Sequence, residues 1–259
     1  MGRSSEHVQG SAAEAGPATG RVVSRRSVLK YGLGAAGAGV LVVSQASPAV
    51  AAPAASGSRV RDAQEWRAAG QVTSANGWTI GPTATSVGAR TVAVEGSDVT
   101  VAVRSGEVAT VLLYVVRRFH YEIDSLRPGE VIGFTAADRF PTRHQSNHMS
   151  GTAVDIRPGW YPLGVSGEFS PIQITIIRDI IAVCDGVVRW GGDYRHSADE
   201  GHFQIDVPPG SAALSTAASK ISGFAAAPGQ GPGAGEALPF TEARRARADT
   251  VRARQGTPD

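Results

Sequence analysis

Two short segments of the sequence contain side chains whose types could bind a metal ion and use it for hydrolysis. The first segment contains His148 and Asp155, and the second contains Asp199, Glu200 and His202. A catalytic zinc site takes three protein ligands and leaves a fourth position for water. Two neutral imidazoles and one carboxylate, from His148, Asp155 and His202, would keep a net positive charge that acidifies the bound water. A carboxylate outside the ligand set, Asp199 or Glu200, would then accept the proton.

The spacing of these residues alone does not decide between a metal site and ordinary surface or capping roles. The surrounding residues are more specific. The sequence is SNHMSGTAVDI over 146–156, WGGDY over 190–194 and DEGHF over 199–203. These segments resemble, in the same order, the two signatures of the D-alanyl-D-alanine peptidases, the first being S-x-H-x-x-G-x-A-x-D. That zinc family includes VanX- and VanY-type dipeptidases and carboxypeptidases and the L-alanyl-D-glutamate endopeptidases of phage and sporulating bacteria. The resemblance covers roughly residues 70 to 207.

Carried over by position, the resemblance implies that zinc is the cofactor and that His148, Asp155 and His202 are its ligands. It implies Asp199, rather than the neighbouring Glu200, as general base and acid. Aspartate at that place is similar to the endopeptidase branch. His2Asp sites also accept other divalent ions, so the metal used in the cell stays open.

The resemblance also implies residues that hold the substrate. The family has an upstream arginine that binds the substrate carbonyl or carboxylate, and Arg139 matches it best, with Arg143 as second choice. Ser146 is expected to hold the substrate or orient the site. Trp190 and the segment from Gly191 to Asp193 are expected to line the cleft.

The function implied by the resemblance is hydrolysis of peptide bonds in peptidoglycan stem peptides, with D-amino acids near the cut. A D-Ala-D-Ala carboxypeptidase is favoured, and an L-Ala-D-Glu endopeptidase is the main alternative. Two rivals stay open: a non-catalytic wall-binding module with a structural zinc, and another zinc hydrolase such as an amidase. Retention of Asp199 argues against the binding module, because a structural metal has no use for a carboxylate outside its ligand set.

The elements that must position these residues follow from apolar periodicity and turn residues. Residues 107–124 have a helical apolar pattern, and residues 170–185 read as a buried helix opened by Ser170-Pro171, although Ile172 to Ile176 alternates like a strand. Strands are predicted over 131–135, 187–190 and 202–207, and loop and strand around His148. This is an α+β domain, a small antiparallel sheet with flanking helices. The resemblance implies the Hedgehog/DD-peptidase-like fold.

The ends of the chain have a different composition from its centre. Residues 1–51 resemble a twin-arginine signal peptide: Arg25-Arg26 precede a mild apolar stretch that ends in Ala49-Val50-Ala51. We therefore expect recognition by the twin-arginine export machinery and a secreted or cell-wall-associated protein. Residues 52–58 are a predicted linker, 59–224 the peptidase domain, and 225–259 a disordered Ala/Gly/Pro-rich and charged tail, in which a short exposed helix near 241–254 is the alternative.

Charge and cysteine content exclude some classes of protein. The chain has 25 Lys/Arg and 23 Asp/Glu, and residues 1–51 contain five of the basic and two of the acidic residues, so the remainder is nearly neutral. Nothing indicates nucleic-acid binding, which needs clustered positive charge on the folded domain. The single cysteine, Cys184, lies in an apolar run and is predicted to be a buried, inert thiol. A monomer is expected.

Overall fold

The computed structural model describes residues 72–136, 142–226 and 240–257. The predicted export signal (1–51) and linker (52–58) lie outside these ranges. Within them are six strands, four α-helices and three 3-10 segments: β1 Ala89–Ala93, β2 Thr100–Arg104, α1 Glu107–Glu122, β3 Val131–Ile132, β4 Ala153–Ile156, α2 Pro171–Val183, β5 Val188–Trp190, β6 His202–Ile205, α3 Ala212–Ala226 and α4 Glu242–Gln255, with 3-10 turns at Thr85–Val87, His144–Ser150 and Gly191–Asp193. In this described part, no helix has the length and apolar character needed to span a membrane.

The strands form two antiparallel sheets, which confirms the predicted α+β class. β1 and β2 form a two-stranded hairpin that the sequence analysis did not identify, and the other four strands are ordered β3-β4-β6-β5. β3 is shorter than predicted. After Ile132 the chain leaves β4, and the Phe134 amide donates to the Ala102 carbonyl of β2 at 2.6 Å. The segment after β3 thus bridges the two sheets.

The two predicted core helices are present because each has an apolar face, and α2 also has a capped start. In α1 the residues at helical spacing are buried, among them Val111, Leu112 and Phe119. In α2 the Ser170 hydroxyl accepts from the Gln173 amide and the Gln173 side chain accepts from the Ser170 amide, a capping box that fixes the helix start. The helix interpretation of 170–185 is therefore confirmed. Cys184, at its end, is fully buried, and burial raises the pKa of its thiol to about 12.

The predicted disordered tail needs correction over residues 240–257, where the alternative of a short helix near 241–254 is present; residues 227–239 lie outside the described ranges. α3 extends into it as far as Ala226, and α4 is a packed helix in which Ala248 and Val251 are buried. Arg244 of α4 forms a two-pronged contact with Asp179 of α2, at 2.7 and 2.6 Å. Only two apolar residues of α4 are buried, and charge pairs supply much of the rest of its contacts. Apolar periodicity therefore could not detect its packing.

Candidate metal centre

Sheet register brings two of the three predicted ligands together. Asp155 of β4 is paired directly with His202 of β6, and directly paired residues of antiparallel strands point to the same face of the sheet. His148 comes from the 3-10 segment His144–Ser150, where a loop was predicted. Gly151 ends that segment at φ 69, and a Cβ there would lie 2.9 Å from the Arg104 amide nitrogen. This close backbone approach takes the chain from His148 directly into β4.

The ligand atoms of these three residues converge. Nδ1 of His202 lies 2.7 Å from Oδ1 of Asp155, and Nε2 of His148 lies 3.1 Å from the same oxygen. All three atoms fall within 4.8 Å of one another, and both imidazoles are buried. The spatial grouping predicted from the sequence is present.

The outer nitrogen of each imidazole is held by an oxygen acceptor. Nδ1 of His148 lies 2.6 Å from the Gly133 carbonyl, and Nε2 of His202 lies 3.0 Å from Oε1 of Gln204. With each outer nitrogen able to donate in this way, each inner nitrogen can offer a lone pair to a cation bound beside Asp155. Nε2 of His148 is buried and, despite its closeness to Asp155, makes no hydrogen bond. Three electron-rich atoms facing one another, one of them without a hydrogen bond, fit a divalent cation bound among them.

Titration within the group follows the same geometry. Burial alone would raise the pKa of Asp155, but attraction to the imidazoles of His148 and His202 in their protonated form, together with the contact from Nδ1 of His202, outweighs it and holds that pKa well below its usual value. Burial would lower the pKa of His202, but its hydrogen bond and attraction to Asp155 raise it. The carboxylate is therefore ionised at neutral pH, as a metal ligand must be.

Asp199 lies beside this group, in the segment that leads into β6. Its Oδ2 accepts from Nε2 of Gln145 at 2.6 Å and lies 3.4 Å from Nε2 of His144. The His144 ring is in turn 5.1 Å, centroid to centroid, from the ring of His202. Burial lowers the pKa of His144 to about 4 although Asp199 opposes that shift. Asp199 therefore faces a neutral imidazole and an amide.

Gly191 allows Asp199 to approach His202 closely. The Asp199 amide donates to the Gly191 carbonyl at 3.0 Å. A Cβ on Gly191 would lie 2.4 Å from the Asp199 carbonyl oxygen and 3.0 Å from the His202 Cβ. No side chain fits there, so a glycine is required between the ligand and the carboxylate.

Glu200, the other candidate base, is committed elsewhere. Its two carboxylate oxygens accept from the amides of Gly167 and Glu168 at 2.8 and 2.9 Å. The side chain fastens the loop between β4 and α2 to the segment that carries Asp199. A carboxylate with both oxygens bound in this way is poorly suited to exchange protons with a water.

Three residues predicted to bind substrate have their polar groups bonded to neighbouring parts of the protein. Trp190 is 3 % exposed, and its Nε1 donates to the Glu200 carbonyl at 2.7 Å. Asp193 forms an ion pair with Arg178 of α2. The Ser146 hydroxyl is fully buried, donating to the Arg143 carbonyl at 2.7 Å and accepting from the Ala75 amide at 3.0 Å. Their polar groups are engaged by the protein itself, and their predicted contact with substrate stays a prediction. Orienting the site, the other role predicted for Ser146, agrees with its contacts.

Of the two candidate arginines, only Arg143 lies within the described residues. Arg139 lies outside the described residues, so its predicted role stays a prediction. Arg143 is exposed and immediately precedes the 3-10 segment that carries His148. Its position leaves it accessible to a ligand.

Sequence reasoning missed Gln204 as a member of this site. Its Oε1 accepts from Nδ2 of Asn147 at 2.7 Å and from the Tyr194 hydroxyl at 3.0 Å, besides the contact with His202. The Tyr194 ring also stacks on His144, with centroids 4.1 Å apart. A signal was available for Gln204: residues two apart on a strand share a face, so the residue two after a ligand is placed to contact it.

The segment that builds this centre is similar to a known family. Residues 140–205 match the family model described as D-alanyl-D-alanine carboxypeptidase. Comparisons with curated proteins and with solved structures give no match. The matched segment contains all three converging ligand residues together with Asp199 and Gln204. The match supports a relation of this chain, over those residues, to the D-alanyl-D-alanine carboxypeptidase family of peptidases.

Proposed function

We propose that this protein is a zinc-dependent peptidase that hydrolyses peptide bonds in peptidoglycan stem peptides, with D-Ala-D-Ala carboxypeptidase activity as the favoured form. The observation that carries the proposal is the convergence of Nε2 of His148, Oδ1 of Asp155 and Nδ1 of His202 beside a buried carboxylate that is not one of the three. The family match over residues 140–205 supports peptidase chemistry.

His148, Asp155 and His202 would hold the metal. Two imidazole nitrogens and one carboxylate oxygen suit zinc, and a bound zinc supplies a Lewis acid and an acidified water. The chain's own part is to fix the ligands in advance. The Gly133 carbonyl holds the His148 ring, and the Gln204 amide oxygen holds the His202 ring, so that both inner nitrogens face the centre.

Asp199 is the proposed general base and acid. It would take a proton from the attacking water and return it to the leaving amine. Gln145 orients this carboxylate by donating to Oδ2 at 2.6 Å. Glu200 is not suited to this role, because both of its oxygens accept backbone amides. Arg139 or Arg143 would hold the substrate carbonyl or carboxylate during the reaction.

Two alternatives share parts of this arrangement. An L-Ala-D-Glu endopeptidase would use the same groups, so the choice of bond depends on substrate contacts. A non-catalytic module with a structural metal would have no use for Asp199, which is buried and oriented beside the ligands. The Arg25-Arg26 segment supports export by the twin-arginine route to the cell wall or the medium.

Muropeptide digestion tests the proposal. The zinc-loaded chain is incubated with purified peptidoglycan, and mass spectrometry of the fragments identifies the bond that is cut. In Asp199→Asn we expect zinc content to stay at the wild-type level while hydrolysis falls by on the order of 100-fold or more, the usual contribution of a positioned base. Glu200→Gln is the matched control for zinc content. Unchanged hydrolysis in Asp199→Asn, or hydrolysis that survives complete removal of metal, would refute the mechanism.

A further inference from the structure

The sheet places an exposed apolar side chain in the same row as the metal ligands. Ile132 of β3 is paired directly with Asp155, and Asp155 is paired directly with His202. Directly paired residues share a face, so the Ile132 side chain stands on the face that carries the centre. It is 41 % exposed, whereas Val131 before it points into the core and is 6 % exposed.

Asp199 stands at the other end of this row. β5 follows β6 in the sheet, and Trp190 is paired with Phe203, which places Gly191 beside His202. A Cβ on Gly191 would be 3.1 Å from the Asp199 Cβ. The order across the face is therefore Ile132, the ligand pair Asp155 and His202, and then Gly191 with Asp199. This pair has the Asp199 carboxylate on one side and the aliphatic side chain of Ile132 on the other.

This order gives a direction to a bound peptide. If Asp199 returns a proton to the leaving amine, the amine side of the scissile bond must lie toward Asp199. The residue that supplies the scissile carbonyl then extends the other way, toward β3. Ile132 is an apolar group that stands on that side with its surface open.

We propose that Ile132 forms an apolar subsite for the side chain of the substrate residue on the acyl side of the scissile bond. This inference rests on the proposed function and adds a substrate preference to it. In both candidate bonds, D-Ala-D-Ala and L-Ala-D-Glu, the acyl-side residue is an alanine. Contact between its methyl group and Ile132 removes apolar surface of both from water, and glycine at that place gains nothing.

Paired substrates test the subsite. The zinc-loaded full chain is given two peptides that contain the bond cut in peptidoglycan and differ only in alanine or glycine on its acyl side. We expect wild type to prefer alanine in kcat/KM by about 10-fold, the lower end for one methyl group in an apolar pocket. Ile132→Thr keeps the β-branched shape that suits a strand, and it should lose most of that preference. Ile132→Val should fall between the two.

Two further measurements separate a subsite from a general defect. Ile172→Thr changes an exposed isoleucine (62 %) on α2 and should keep the full preference. In an Asp199→Asn background, the dissociation constants of the two uncleaved peptides should differ less when Ile132→Thr is added. That readout does not depend on turnover, and thermal unfolding shows whether each variant is folded.

The outcomes distinguish the subsite from the function on which it rests. If wild type cuts neither peptide, the proposed function and the subsite fall together. If wild type cuts both peptides equally well, or if Ile132→Thr keeps the wild-type preference for alanine in both kcat/KM and binding, the peptidase stands and the subsite is wrong.

Discussion

Two buried carboxylates in this molecule have opposite surroundings. Asp179 of α2 accepts from Nη2 of Arg118 at 2.9 Å and from the guanidinium of Arg244 at 2.6 and 2.7 Å. Asp155 of β4 faces Nε2 of His148 and Nδ1 of His202, and the far nitrogen of each ring has its own oxygen acceptor. The first carboxylate is neutralised by the protein itself, and the second is placed where only an added cation would complete it.

The contrast separates a structural charge from a functional one. A buried ion pair that is fully hydrogen-bonded holds elements together, and removing one partner leaves the other buried without compensation. A carboxylate grouped with two imidazole nitrogens that can each offer a lone pair is arranged to bind a cation. Burial alone therefore does not mark a functional acid in this chain. The charge and proton positions of its neighbours do.

Asp155→Asn should have the largest effect. Loss of the anionic ligand should reduce bound zinc to a small fraction of one per chain. Activity should fall by on the order of 1,000-fold or more, because the several kcal/mol of stabilisation that a metal gives the transition state are lost. Zinc content by atomic emission and kcat/KM on a stem peptide check this. In chelator the unfolding midpoint should fall less than it does in Asp179→Asn, and an equal fall would contradict the contrast with Asp179.

Asp179→Asn should show the reverse pattern. Arg118 and Arg244 would lose their shared anion, and we expect the free energy of unfolding to fall by about 3 kcal/mol. Urea titration measures this loss of stability. The zinc content of the folded variant should stay at one per chain. Asp185→Asn is the matched control. Asp185 pairs with Lys220 and Arg247 at a site where its side chain is 38 % exposed, so its loss should cost less than about 1 kcal/mol. Equal losses in the two variants would mean that burial does not determine how much these ion pairs contribute to the free energy of unfolding.

The same two carboxylates show how far the sequence could be interpreted. Asp155 lies within a signature of fixed spacing, so its partners His148 and His202 could be named before any coordinates were known. Asp179 sits in an apolar run, and its partner Arg244 is 65 residues away in a segment of low hydrophobicity. No local pattern joins them, so the docking of α4 could not be predicted. The helices α1 and α2 were predicted because their signals are local: an apolar stripe and a capping box.

Local patterns also failed where tertiary contacts decide what a side chain does. Trp190 and Asp193 stand next to the site in sequence, but Trp190 donates to a carbonyl in the core and Asp193 pairs with Arg178. Adjacency along the chain therefore did not reveal these contacts within the protein. The β1–β2 hairpin was missed although Val101 and Val103 alternate with less buried residues. The alternation covers only five residues, and so short an alternating run does not distinguish a strand from other structures.

Gln204→Leu should produce the smallest of these effects, and it tests directly whether the acceptor on His202 is needed for the metal site. By accepting the outer N–H of His202 at 3.0 Å, Gln204 leaves the inner nitrogen able to offer its lone pair to a cation beside Asp155. Without that acceptor the ring is free to rotate or to change tautomer, and zinc affinity should weaken by about 10- to 100-fold. Gln204→Glu keeps an acceptor and should restore the affinity. Tyr194→Phe removes a donor to Gln204 without removing the acceptor, so it should bind zinc like wild type. Competition with a chromophoric chelator measures all three, and if the Leu and Glu variants bind equally tightly, proton placement on His202 does not create the site.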